Sequence, residues 1–154
     1  MIVVVICQKH FAIQNPAYSF AKDKGASAPF PILKPIYNYN MLPLNDLSQL
    51  AAIDALSNQK PVIIFKHSTR CSISSTALNR FERAYANQNK EELPVYYLDL
   101  LNYRPISNEI AVHYQIEHQS PQTLLIHQGK CVHTASHIEI NLAEIIVVIK
   151  SLKQ

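Results

Sequence analysis

The segment His67-Ser-Thr-Arg-Cys71-Ser-Ile-Ser74 holds the side chain best placed for covalent chemistry in this chain. It follows a short apolar run, VIIF at 62–65, and precedes Ala77, Leu78, Phe81 and Tyr85 at helical spacing. Cys71 is therefore expected at the N-terminus of a helix, where unpaired backbone N–H groups and the macrodipole favour negative charge. Arg70 adds a fixed positive charge. The Ser74 hydroxyl, one turn on, is expected to donate to the sulfur. All three effects favour thiolate, the species that attacks a disulfide sulfur. Cysteines so placed titrate at about 3.5–7.5 instead of ~8.5. An inert buried thiol is the competing reading, since cysteine is among the most buried residue types. The polar neighbours and the strand-to-helix turn argue against it. With Ser at position 74 the motif is Cys-x-x-Ser and closes no local disulfide. It suits a mixed disulfide that an external thiol resolves.

The elements that must position this thiol alternate clearly from Met41 onward. Leu47, Leu50, Ala51, Ile53, Ala55 and Leu56 suggest a helix capped by Asn45 or Asp46. Pro61 ends it, and VIIF reads as a buried parallel strand. A helix from about Cys71 to Asn87 follows, then strand PVYYLDL (94–100) and a helix to about Tyr114 carrying Ile106, Ile110 and Ala111. Strands QTLLI (122–126) and CVHTA (131–135) flank a turn with Gly129, and Leu142, Ile145, Ile146 and Ile149 mark a closing helix over 141–152. Strand–helix–strand units require parallel pairing with right-handed crossovers, whereas the Gly-turned pair must be an antiparallel hairpin. The economical solution is α/β: a mixed four-stranded sheet with helices on both faces. That is the thioredoxin-like architecture, with room for a vestigial first strand at MLPL (41–44).

This frame gives Ser120-Pro121 a meaning. In a thioredoxin-like sheet a cis proline at that position packs against the active cysteine, whereas a trans proline would merely begin a strand. The frame also sorts the other thiols. Cys131 starts the return strand five residues before Ser136 regains the active-site end, so it lies roughly 16 Å away and is a poor resolving thiol. Cys7 falls in the N-terminal stretch. Seven histidines show no zinc spacing, and no metal site is expected. His113 and His118 flank the end of one helix; His127 and His133 read as cross-strand surface residues. His137 returns with Ser136 to the active-site end, either to hydrogen-bond the loop or to help bind a ligand. His67 reads equally as a loop anchor or as a base.

The first forty residues differ from the rest. They hold four of the nine prolines and, in Lys9, Lys22, Lys24 and Lys34 against Asp23, the whole net charge of +3. The remainder is balanced and has no basic stripe, which argues against nucleic-acid binding. Residues 1–40 read as an irregular or disordered extension, with Met41 as the natural start and 41–154 as the thioredoxin-like domain. No apolar run approaches the roughly 18 residues of a membrane span, and MIVVVIC lacks the basic region of a secretory signal. An odd number of cysteines, three, does not describe a disulfide framework. A cytoplasmic protein without membrane attachment is expected.

FKHSTRCSIS (65–74), YYLDLLNYRPISNEIA (96–111), HQSPQ (118–122) and SHIEI (136–140) together resemble the monothiol bacilliredoxins, the YtxJ-like family of the bacillithiol system. Four separated motifs in the right order are far more specific than Cys-x-x-Ser alone. The resemblance covers essentially all of 41–154 and none of 1–40. It implies a thioredoxin fold and a Cys71 that removes bacillithiol from mixed disulfides on oxidised proteins. No bound cofactor is expected; the low-molecular-weight thiol is a co-substrate, and the partners are thiolated client proteins. Arg70 and Ser74 are expected to act beside Cys71, with Thr69, Ser120, Pro121, Gln122, Ser136 and His137 forming the substrate groove. The chain departs from the family at Ser72, usually Pro, and at Ile138, usually Trp. Two alternatives remain open: a thioredoxin-like binding module or redox sensor whose Cys71 is only modified, and a glutaredoxin-like enzyme using glutathione or coenzyme A.

Overall fold

The computed structural model describes residues 41–153. The expectations for residues 1–40, Cys7 and His10 among them, lie outside the described residues. The order is β1 (Leu42–Pro43), α1 (Gln49–Ser57), β2 (Val62–His67), α2 (Ser72–Tyr85), β3 (Val95–Asp99), α3 (Arg104–His113), β4 (Gln122–His127), β5 (Lys130–Ser136), a 3-10 turn (His137–Glu139) and α4 (Leu142–Ser151).

Alternation of side chains along each strand decides which helix packs where. Ile63 and Phe65 of β2, Val95 of β3 and Leu125 of β4 meet Ala77, Phe81 and Tyr85 of α2 and Ile145 of α4 on one face. Val62 and Ile64, Leu98, and Leu124 and Ile126 point the other way, against Leu50 and Ile53 of α1 and Ile106 and Ile110 of α3. Each fully buried side chain of this size stabilises the fold by about 1.5–3 kcal/mol. The sheet runs β1-β3-β2-β4-β5. β2 is parallel to β3 and antiparallel to β4, and β4 and β5 form the hairpin. This is the thioredoxin-like α/β architecture. It has five strands, not four, because the short stretch at 42–43 pairs in parallel with Tyr96 and Tyr97 at the sheet edge.

Local chemistry sets the ends. The hairpin turns through Gln128 (φ 52°) and Gly129 (φ 70°), two consecutive left-handed residues that suit a tight strand connection. α1 starts at Gln49, two residues later than Leu47 suggested, and the chain leading into it is ordered by a local network. Gln49 Oε1 accepts the Asn45 and Asp46 N–H groups, and Asp46 Oδ1 accepts from Ser48. Leu47, Ala51 and Ala55 are exposed, so the buried face of α1 is carried by Leu50 and Ile53. α4 begins at an Asn141 cap whose side chain accepts the Ala143 N–H and donates to Glu144. At the end of α3, His113 and the Tyr114 hydroxyl both engage Asp54 of α1, at 2.7 and 2.9 Å. His113 therefore ties two helices together.

Candidate active site

β2 runs two residues beyond its apolar stretch, through Lys66 and His67, both buried. The turn Ser68–Arg70 then leads to Cys71, which is the N-cap of α2 with extended backbone (φ −111°, ψ 120°). The Cys71 N–H donates to Ser68 O at 3.1 Å, and its carbonyl accepts the Ser75 N–H at 3.0 Å, the first turn of the helix. The thiol is half-buried at the positive end of that helix. Thr69 and Arg70 are exposed on the turn, and Arg70 makes no ion pair among the described residues.

Ser74 occupies the place where a second thiol would close a local disulfide, and it is fully buried. Its hydroxyl does not serve the sulfur as expected. It accepts the Ser68 N–H at 3.0 Å and lies 2.7 Å from His67 Nδ1. These partners win because His67 points to the α2 face, where burial leaves its ring no water to bond. Ser74 thus clamps the turn that presents Cys71. Burial pushes the His67 ring below its ordinary pKa, opposed by the nearby Asp99 carboxylate. His67 is a loop anchor.

The antiparallel register sets Gln122 of β4 across from Lys66 of β2. Pro121 is therefore level with the residue that begins the Cys71 turn, and the Ser120–Pro121 peptide is cis. Ser136 pairs with Gln122, and the His137 N–H donates to Pro121 O at 3.1 Å. The end of β5 thus returns to the same end of the sheet as Cys71, as the sequence indicated. His137 itself is exposed with φ 54°. Ser120 is half-buried on the turn. Gln122 cannot offer its side chain to a ligand, because the amide is buried and fully used. Its Oε1 accepts from Lys66 and Gln119 N–H, and its Nε2 donates to Glu117 O and Thr134 Oγ1.

A groove of about 230 Å³ opens beside the start of α2, lined by Ser72, Ile73, Thr76, Arg80, His137 and Ile138, with Ala77 at its base. Its apolar rims are Ile73, 54% exposed, and Ile138, 81% exposed. Arg80 holds the far wall by donating to Ile138 O and Ile140 O at 2.9 and 2.7 Å. Sequence reasoning missed Arg80. The apolar spacing of α2 marks the residue only as lying on its polar side.

The remaining titratable groups take structural places. Cys131 packs at the edge of the α1/α3 core, its thiol donating to His133 O at 3.3 Å, and burial pushes that thiol above its ordinary pKa. His127 and His133 are half-buried, not surface residues, and pair with Lys130 and Leu125. Among the described residues no three His, Cys, Asp or Glu side chains are grouped to hold a metal ion.

Comparison with known proteins agrees with this geometry. Among solved structures, the chain is similar to one described as having a thioredoxin fold and as a candidate oxidoreductase: 26% identity, TM-score 0.59, with 70% of this chain and 91% of that one covered. Thioredoxins of Malassezia sympodialis and Fasciola hepatica share the fold at 15% identity, with TM-scores of 0.56 and 0.55. In each case 72% of this chain is covered, with 89% and 98% of those chains. Within that fold, a family model described as monothiol bacilliredoxin BrxC matches residues 42–145, from the edge strand into α4 and across every element that frames Cys71. With its single thiol at the α2 N-cap and serine in place of a partner thiol, the chain belongs to the monothiol bacilliredoxin family.

Proposed function

We propose that the chain removes bacillithiol, or a closely similar low-molecular-weight thiol, from mixed disulfides on oxidised client proteins in the cytoplasm. The thiolate of Cys71 attacks the small thiol's sulfur in client–S–S–R. The client leaves as a free thiolate, and the small thiol stays on Cys71 as a mixed disulfide. A second small-thiol thiolate attacks that disulfide, releasing R–S–S–R and restoring Cys71. No net redox agent beyond the small thiol is consumed in the cycle.

The observation that carries this reading is the pairing of a half-buried Cys71 at the α2 N-cap with a fully buried Ser74. The first supplies a nucleophile, and the second removes the local route by which a dithiol site would resolve itself. The other described thiol, Cys131, is packed against the opposite face of the sheet and is held protonated by burial. Neither Ser74 nor Cys131 offers a resolving partner for the mixed disulfide on Cys71, which supports release by an external thiol. Arg70, exposed and free of ion pairs among the described residues, suits the carboxylates of such a thiol. The groove between Ile73 and Ile138 gives its body room, and His137, which lines it, is tied through its N–H to Pro121 O at the same end of the sheet.

Turnover of a bacillithiolated client by the full chain, followed by release of the client thiol, tests the reading. Wild type is expected to turn over and Cys71→Ala to be inactive. Wild-type activity in Cys71→Ala contradicts it. Activity confined to glutathione or coenzyme A mixed disulfides would reassign the small thiol while keeping the exchange chemistry.

A further inference from the structure

We propose that Lys66 is a positioning residue for the exchange site, holding the 117–122 segment so that the Ser120–Pro121 turn lies firmly beside the Cys71 turn. This deepens the function proposed above and rests on it for the substrate used. Lys66 is 0% exposed, yet it sits next to His67, which begins the turn bearing the nucleophile. Strand alternation turns its side chain to the α1/α3 face, away from His67 and Ser74. Its Nζ donates to His118 Nδ1 at 2.9 Å and to Gln122 Oε1 at 3.0 Å, and these two residues bracket Ser120 and Pro121. The ammonium has no lone pair, so His118 Nδ1 must be the acceptor and its ring proton sits on Nε2.

The rest of the cluster extends the same grip. Gln122 Oε1 also accepts the Gln119 N–H at 3.2 Å, and Gln122 Nε2 reaches Glu117 O at 2.9 Å, closing the segment on itself. Ser107 of α3 lies 3.4 Å from His118 Nδ1. Residues of two of the sequence motifs, FKHSTRCSIS and HQSPQ, therefore meet at the Lys66 ammonium, and Ser107 of the stretch containing RPISNEIA reaches the same cluster through His118. An amine with no carboxylate in contact among the described residues is a costly group to bury. Its retention at the foot of the substrate wall is explained by what it holds.

The charged and titratable groups around Lys66 are few. His118 faces it from the loop; burial, then the charges of Lys66 and of Arg104 at the start of α3, lower the His118 pKa. On β3, Asp99 directs its carboxylate to Leu101 N–H and Asn102, and β4 contributes only neutral Gln122. Burial with no compensating anion lowers the Lys66 pKa to about 8. Hydrogen bonds from an ammonium are roughly twice as strong as those from a neutral amine, so the grip weakens as pH rises through that range.

Lys66→Met keeps an unbranched side chain one atom shorter and removes the donors. The full chain is assayed with a mixed-disulfide client, with iodoacetamide as a probe of Cys71 that needs no docking. We expect KM for the client to rise about tenfold, with kcat and the alkylation rate each within about threefold of wild type. The ratio of dethiolation kcat/KM to alkylation rate should fall roughly threefold between pH 7 and 9.5 in wild type and stay flat in the variant. Should Lys66→Met fold poorly, His118→Ala, altered at a mostly exposed residue, should show the same KM increase at about threefold. An unchanged KM overturns the proposal, and so does an equal loss of alkylation, which would place Lys66 on the thiol or the fold instead. If wild type dethiolates no client, the function proposed above fails. Amide exchange at Gln119 then decides on Lys66 alone: faster exchange in the variant supports the role, and unchanged exchange refutes it.

Discussion

Ser74 shows how one hydroxyl is apportioned at the heart of the site. It takes the N–H of half-buried Ser68 and faces the buried His67 Nδ1. Replacing it by alanine leaves the buried His67 Nδ1 without this partner and frees the part-buried Ser68 N–H, and stranding a buried polar group costs about 1–3 kcal/mol. Ser74→Ala is thus expected to lower the urea midpoint markedly while Cys71 remains reactive to iodoacetamide. Cys131 makes the complementary case. Its thiol is half-buried and pushed toward the protonated form, so peptide mapping after brief alkylation at neutral pH should find label on Cys71 well before Cys131. Cys131→Ala should leave exchange intact. The place of Cys71 at the helix N-cap and of Pro121 just before β4 was legible in the sequence, because residue type and position in the pattern suffice to mark both. The direction of the Ser74 hydroxyl was not, because it depends on which competing partners burial leaves unsatisfied. Gln122 failed for the same reason: a polar residue beside an active-site proline reads as a ligand contact until Lys66 is found waiting behind it.

β2 carries the clearest lesson at the level of elements. A lysine at the end of VIIFK reads as the point where a strand reaches solvent. Its burial is dictated by His118 and Gln122, 52 and 56 residues away, and no local pattern contains them. The consequence is measurable. With the folded pKa near 8 and the unfolded one near 10.4, the unfolded chain binds more protons between those values. The Lys66 contribution to stability therefore rises as pH climbs through that window, by on the order of 2 kcal/mol. Tyr85, Tyr114 and Cys131, whose pKa values burial raises, act in the opposite sense, so the informative quantity is the difference between wild type and Lys66→Met. That difference should grow with pH between about 8 and 10 in denaturation curves and be flat below. A difference independent of pH would show that Lys66 is not buried as a cation. The alternation of strands and helices was readable from apolar spacing alone. The exact start of α1 was not, since Gln49 and Asp46 reorganise the preceding turn.

Two helical layers pack on one sheet at the scale of the whole domain, and the site lies where β2, β4 and the end of β5 meet. Phe81 of α2 contacts Phe65 of β2 edge-on, with centroids 5.2 Å apart, and both are nearly or fully buried. Phe81→Ala should destabilise the fold by about 3–5 kcal/mol, because α2 loses its hold on the strand that leads to Cys71. Calorimetry would check this, and a loss below about 1 kcal/mol would mean that α2 is anchored elsewhere. Parallel crossovers followed by a hairpin left almost no other topology, so the overall fold followed from element order. Its edge strand, two residues long, falls within MLPL (41–44), where the sequence left room for a vestigial first strand.

The central claim is that Cys71 takes the small thiol from a client and holds it. Its most direct test is the intact mass of the full chain after incubation with a bacillithiolated test protein, beside Cys71→Ser. A single bacillithiol mass on wild type, none on the variant and a freed thiol on the test protein are the predicted result. No transfer to wild type, with the test protein still thiolated and glutathione and coenzyme A adducts equally untouched, would contradict the account and leave a thioredoxin-like binding module.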